Sequence, residues 1–358
     1  MSATYHGFKS PEPTSNLFMR SWTYSSRQAV RPRGIILRNK NKFKKIEQWQ
    51  IYDRIAGTDP YSNIEKEFIP NERYDWTLLT EIELFRKAVK GCRRVLDIGC
   101  GTGHPSLHIA KDVGSITGID RSERMIKIAR SRLSKSEVKN IVFEVGNAEA
   151  LKFSNSSFDA VILCGSLATF SDKKKALQEI KRVLKKNGKV ACIEANWIFQ
   201  SAQERHFKGE GNFALTERGL IKYRYVKRSL HPHKETDYRC LIDQKSPLGK
   251  KLLSDRHFLK GKTLKTEMTI EEVEPYCTEI EYDEEEKFDA GTLARLFAEN
   301  GFKDLIIGGY GIIYDLLSDA KLVKQMSSYM RQLTKAEAAM SSFLNPLKTE
   351  MLFLTCRT

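Results

Sequence analysis

Between Arg94 and Asn196 the chain alternates short β-rich runs with helical patterns, and this rhythm constrains its architecture more than any other feature. The runs are "RVLDIG" (94–99), "SITGID" (115–120), "IVFEVG" (141–146), "DAVILCG" (159–165) and "KVACIEAN" (189–196). Helical patterns fit between them: "HPSLHIAK", then "SERMIKIARSRL" with Ser122 placed to cap it, then "SDKKKALQEIKRVLKKNG". The last starts at Ser171 and stops at Asn187-Gly188, with Leu177, Ile180 and Leu184 on one face. Strands separated by helices cannot pair as hairpins, so the pattern predicts parallel strands joined by crossovers in an α/β doubly wound sheet.

The alternation breaks for nearly ninety residues after the fifth strand. Residues 205–265 carry sixteen Lys/Arg and six Asp/Glu, whereas 267–289 carry eleven Asp/Glu and only Lys287, so the two blocks are expected to neutralise each other. "LIKYRYVKRSL" (220–230) reads as a strand interleaving Tyr223 and Tyr225 with basic residues. Alternation resumes with a helix "AGTLARLFAENGF" that ends at Asn300-Gly301, a strand "DLIIGGYGII" and a final strand "EMLFLTCRT". The expected fold is therefore a seven-stranded, mostly parallel sheet with insertions after strand five and between strands six and seven. Five regions follow: a basic flexible arm (1–45), N-terminal cap helices (46–90), a ligand-binding core (91–200), an acceptor-recognition insertion (201–286), and the completion of the core (287–358) with a helical insert at 311–349.

The turn after the first strand decides which ligand the core takes. Gly99, Gly101 and Gly103 are spaced GxGxG, with no Lys-Ser/Thr following, which disfavours both a dinucleotide fingerprint and a phosphate-binding loop. Asp97 closes the first strand beside the crevice of an open α/β sheet, where a carboxylate repels a pyrophosphate and suits an ammonium. Asp120 closes the second strand, where a carboxylate accepts from ribose hydroxyls. Ammonium plus ribose without phosphate points to S-adenosylmethionine.

"VLDIGCGTGHPSLHIAK", "GID" at 118–120, "GNAEALKFSNSSFDAVIL" and "EIKRVLKKNGKVACIEAN" together resemble the class I S-adenosylmethionine-dependent methyltransferases, particularly the subgroup resembling ubiquinone/menaquinone-biosynthesis enzymes (methyltransferase type 11). The resemblance covers roughly residues 90–200 and implies a Rossmann-like core and a methyl-transferring enzyme. It also implies that Asp97, Gly99, Gly101 and Gly103 line the methionine part, Asp120 the ribose, and Asn147-Ala148 the adenine. Cys164 would lie beside the transferring methyl. Position 147 is often aspartate in that family; Asn147 keeps an acceptor and drops a charge. "WQIYDRIAGTDPY" (49–61) is similar to the family's cap helix, with Tyr52 and Tyr61 as candidates to cover the cofactor or simply to pack.

The activated sulfonium needs alignment and exclusion of water more than a fixed catalytic constellation. Weak candidates for acceptor contacts are His206, Tyr223 and Tyr225 in the insertion, with Asn196-Trp197 beyond strand five. His231-Pro-His233 reads as an exposed turn and His104 and His108 as packing residues, so no metal is expected. "LCGSLATF" lacks the Asn/Asp-Pro-Pro-aromatic element of amino-group base methyltransferases. The seven cysteines form no CxxC pair and read as buried free thiols of a reducing, cytoplasmic protein.

Three functional classes stay open. The first is transfer to a small molecule, quinone-like, lipid-like or a thiol or amine metabolite. The second is RNA methylation through basic residues 1–50 and 205–265; the first fifty residues hold ten Lys/Arg against Glu12 and Glu47. The third is a cofactor-binding subunit without catalysis, and protein methylation has no dedicated feature. The arm reads equally as a solvated tail, a nucleic-acid or peripheral-membrane contact, or an organellar targeting segment, and no apolar run is long enough to span a bilayer.

Overall fold

The computed structural model describes residues 42–56, 73–197, 209–216, 218–229, 232–259, 263–310, 335–341, 349 and 351–358. His206, His231, Tyr61, most of the basic arm and most of the 311–349 insert lie outside them.

The expected sheet is present with seven strands. Its elements are β2 (Arg94–Ile98), β3 (Ser115–Asp120), β4 (Ile141–Val145), β5 (Phe158–Cys164), β6 (Leu184–Ala195), β12 (Lys303–Tyr310) and β13 (Met351–Arg357), in the spatial order β12-β13-β6-β5-β2-β3-β4. All pairs among β2–β6 are parallel, and β13 runs antiparallel between β6 and β12. The order turns back on itself between β2 and β5, the switch point at whose carboxyl ends such sheets bind ligands. Helices cover both faces. On one, α5 (Lys173–Val183) and α7 (Ala290–Glu299) bury Leu177, Ile180, Leu293 and Phe297. On the other, α2 (Arg73–Val89) and α4 (Glu123–Ser134) bury Ile82, Phe85, Val89 and Ile126.

Local signals set most helix ends. Ser122 caps α4 by accepting from the Met125 amide, and α7 stops at Asn300 before Gly301 at φ +77°. Three expectations are corrected. The cap of α5 is Asp172, not Ser171, and the helix stops at Val183 rather than Asn187-Gly188. The amides of Ser156 and Ser157 take the carbonyls of Arg182 and Val183, so Leu184 enters the sheet opposite Phe158. The first helix is also shorter than "HPSLHIAK", with α3 confined to Ser106–Ile109 and a 3-10 turn following.

The insertion after strand five is a second sheet of six strands. It is ordered β1 (Phe43–Lys45), β11 (Cys277–Glu286), β9 (Lys234–Ile242), β8 (Ile221–Ser229), β7 (Glu210–Leu215) and β10 (Leu264–Thr266), antiparallel apart from the β1–β11 pair. Residues 43–45, which charge alone assigns to the arm, are thus an edge strand. Along β8 burial alternates, so Ile221, Tyr223 and Tyr225 face a core closed by α6 (Pro247–Ser254), while Lys222 and Arg224 face away. The charge blocks do meet. Arg239 lies 2.6 Å from Asp283 and Lys234 pairs with Glu284 across the two blocks, while Arg224 and Arg228 pair with Asp237 and Glu235 of their own block, each at 2.9 Å. All seven cysteines are free, and only Cys164 is not fully buried.

Candidate active site

A cleft of about 230 Å³ lies at the carboxyl ends of β2, β3 and β5. Gly99, Gly101, Asp120, Asn147, Ala148 and Cys164, six of the eight residues singled out for the cofactor, line it. Gly103 does not, and Asp97 sits behind the wall with no exposure.

The glycines are required by the backbone. Gly99 and Gly101 hold φ of +75° and +51°, and a Cβ on Gly99 would overlap the Cβ of Ser166. That contact is fixed because Ser166 Oγ donates to the Ile98 carbonyl at 2.7 Å. The turn is also tied to the second strand: the Gly101 amide donates to Asp120 Oδ2 at 3.0 Å and the Ser122 amide to Oδ1 at 2.9 Å. The Arg121 amide acts on the same carboxylate, so three backbone amides hold it in place at the cleft wall. Burial raises the Asp120 pKa, against these amides.

Asp97 accepts from Ser106 Oγ at 2.6 Å through Oδ2, while Oδ1 is buried without a partner among the described residues. Burial raises its pKa to about 7, opposed by the Ser106 hydrogen bond and assisted by Asp120. An unsatisfied buried carboxylate oxygen is costly unless a cation meets it, which fits an ammonium-bearing ligand. Asn147 is partly committed elsewhere, because its Oδ1 accepts from the Glu149 amide at 3.1 Å.

Tyr52 and Trp49 on α1 (Gln48–Ile55) form part of the rim, so the cap helix does reach the cleft. Trp49 stacks under the Arg121 guanidinium at 5.2 Å, and Asp53 accepts from Ser122 Oγ at 2.6 Å, holding α1 against the start of α4.

Two acceptor candidates are displaced. Tyr223 and Tyr225 are buried in the second sheet's core, stacked on each other, and the Tyr223 hydroxyl donates to the Met268 carbonyl. Large aromatics on the inward phase of a strand serve packing, so neither contacts the cleft. Trp197 is likewise a buried anchor and Asn196 donates to the Thr349 carbonyl at 2.6 Å. His233 is not in an exposed turn: its side chain is 10% exposed and 3.7 Å from Asp289.

The cleft contains residues that motif reasoning passed over. Glu81 lies on the apolar stripe of α2 with Leu78, Ile82 and Phe85, and a carboxylate in that position was the available signal. It accepts from Tyr310 at 2.8 Å and faces His104 Nε2 at 3.3 Å and Cys164 Sγ at 3.7 Å. Burial and the carboxylates of Glu81, Asp97 and Glu194 push the Cys164 pKa far up, keeping it a neutral thiol in this setting. His104, read from sequence as a packing residue, lines the cleft.

A family described as a methyltransferase domain matches residues 90–236. Residues 90–236 carry a methyltransferase domain. A demethylmenaquinone methyltransferase of Lactococcus lactis subsp. lactis is 37% identical over 144 residues, 38% of this chain and 57% of that protein. An uncharacterized methyltransferase of Bacillus subtilis, YcgJ, is 38% identical over 101 residues, 28% of this chain and 40% of that one. The matched stretch thus spans about half the length of these relatives. Among solved structures, a Clostridium acetobutylicum S-adenosylmethionine-dependent methyltransferase overlays 86% of this chain and 96% of its own at 12% identity and a TM-score of 0.47. The methyltransferase domain holds the glycine turn, both acidic strand ends and the first strands of the second sheet.

Proposed function

We propose that this chain transfers a methyl group from S-adenosylmethionine to a small-molecule acceptor. The observation that carries the reading is the two-ended cleft. Gly99, Gly101 and Asp120, the last two joined by a hydrogen bond, and Glu81, Cys164 and Met351 line the same cavity, and the reading gives the methionine part and ribose to the first group and the acceptor to the second. When bound, the cofactor supplies an electrophilic methyl on a sulfonium. Asp97 would hold its ammonium, Asp120 its ribose, and Ala148 and Asn147 would border its base. The protein's own contribution is to orient the two partners and to keep water out, which the α1 rim and the buried walls favour.

The acceptor class rests on two supports. The Lactococcus relative is named for a demethylated quinone, and a quinol presents a hydroxyl-bearing ring suited to a partly apolar cavity. Against RNA, basic residues of β8 and β9 are spent on Asp237, Glu235, Asp283 and Glu284 within the second sheet, and Tyr223 and Tyr225 are not available for base stacking. Among the described residues no helix is long and apolar enough to cross a membrane.

The test is incubation of the purified chain with methyl-labelled S-adenosylmethionine and extracts separated into small-molecule, lipid, RNA and protein pools, with Asp97→Asn as control. Label entering the small-molecule or lipid pool, and lost in the variant, supports the reading. Label confined to RNA or protein replaces the acceptor class, and bound cofactor with no transfer to any pool refutes catalysis.

A further inference from the structure

The acceptor end of the cleft holds a donor set to which the methyl-transfer reading gives no chemical role beyond enclosing the acceptor. Glu81 comes from α2, His104 from the glycine loop and Cys164 from the end of β5, and one ligand atom of each lies within 4.8 Å of the others. All three line the cavity, and the side chains of Glu81 and His104 are each only 8% exposed.

The two separations from Glu81 have the dimensions of a coordination shell. Tetrahedral zinc with bonds of about 2.0–2.2 Å to nitrogen and oxygen and about 2.3 Å to sulfur sets neighbouring ligand atoms roughly 3.4 Å (N and O) and roughly 3.6 Å (O and S) apart. Glu81 Oε2 stands 3.3 Å from His104 Nε2 and 3.7 Å from Cys164 Sγ. Further features fit the same assignment. Tyr310 donates to the other Glu81 oxygen, the kind of outer contact that aims a ligating carboxylate. Nearby, Asp97 and Glu194 are also buried carboxylates, and a carboxylate, a thiolate and a neutral imidazole balance the charge of one divalent cation.

We propose that Glu81, His104 and Cys164 bind one zinc ion whose fourth coordination position opens into the cleft and takes the heteroatom of the acceptor. Three protein ligands with one open position is the arrangement of catalytic rather than structural zinc. Use of that open position rests on the methyl-transfer reading; the three-ligand site does not. On coordination an acceptor hydroxyl or thiol loses its proton to solvent, because the cation lowers its pKa. Its lone pair then forms the bond to the methyl carbon while the carbon–sulfonium bond breaks. The electron pair stays on sulfur as a neutral thioether, and zinc changes no oxidation state.

The experiment uses the full chain, stripped with a chelator and reloaded with Zn²⁺ or Co²⁺, with cofactor binding followed by calorimetry on the same samples. Expected are about one zinc per chain, and in the cobalt form a thiolate-to-metal charge-transfer band together with intense tetrahedral d–d bands. Cys164→Ser should lose the charge-transfer band, and Tyr310→Phe should weaken zinc binding about 10- to 100-fold. Substoichiometric zinc in the wild-type chain, or a cobalt form without the thiolate band, overturns the site without reference to any variant's folding. So does zinc affinity unchanged in Cys164→Ser and Glu81→Gln. Intact cofactor binding in that case leaves methyl transfer standing, whereas a stoichiometric zinc site in a chain that binds no cofactor refutes the methyl-transfer reading instead.

Discussion

The backbone amide of Gly101 donates to Asp120 Oδ2 at 3.0 Å, so the glycine turn and the carboxylate at the end of the next strand form one hydrogen-bonded unit. Removing that carboxylate releases the turn and, on the proposed reading, deletes a ribose contact. Charged hydrogen bonds contribute about 1.5–3 kcal/mol, so Asp120→Ala should raise the dissociation constant for S-adenosylmethionine about 10- to 100-fold in calorimetry. An unchanged constant would show that the ribose lies elsewhere.

Asp97 gives a pH signature. Its pKa of about 7 in the ligand-free fold means that below neutrality the carboxyl is largely protonated and cannot pair with an ammonium. Cofactor affinity should rise as pH increases towards about 7 and then level off, with proton release on binding below that pH. Calorimetry in buffers of differing ionisation enthalpy measures the released proton directly. In Asp97→Asn both the slope and the release should vanish.

Much of this was legible in the chain because the periodicities that built the Rossmann-like core are local. Ser122, Asn300 and Gly301 mark helix ends through contacts made within a few residues, and the Gly99–Asp120 spacing follows from one strand–helix–strand unit. What was not legible depends on distant partners. The early end of α5 comes from Ser156 and Ser157 capturing its last carbonyls. The inward phase of Tyr223 and Tyr225 is set by α6 and the neighbouring strands, while β8's pattern of tyrosine and basic residues also suits a nucleic-acid surface. Glu81, His104, Cys164 and Tyr310 come from α2, the loop after β2, β5 and β12, and no sequence window contains them together.

Glu194 should make the fold less stable as the solution becomes alkaline. Burial lifts its pKa to about 8, despite hydrogen bonds from the Leu167 and Ala168 amides at 2.8 and 3.4 Å. Because its native pKa exceeds the unfolded one, the native state binds more protons between about pH 4.5 and 8, and stability falls as pH rises through that window. Asp97 contributes in the same direction only up to about pH 7. The decline between pH 7 and 8 is therefore mainly that of Glu194, and urea denaturation of Glu194→Gln should show it flattened. An equally steep decline in the variant would assign the effect to other groups.

Two glycines of the turn should differ in what a methyl group costs. Both hold positive φ, so alanine at either pays about 1–2 kcal/mol for the left-handed backbone. At Gly101 nothing lies within 4 Å of the added carbon, and the strain is the whole effect. At Gly99 the carbon overlaps the Ser166 side chain, which cannot turn away without losing its bond to the Ile98 carbonyl and shifting the loop after β5 beside Cys164. Gly99→Ala should thus lower the thermal midpoint more than Gly101→Ala and weaken cofactor binding as well, since Gly99 and Ser166 both line the cleft. Equal midpoints for the two variants would mean that the loop after β5 yields freely, and the close packing of Gly99 on Ser166 would then have no role in shaping the site.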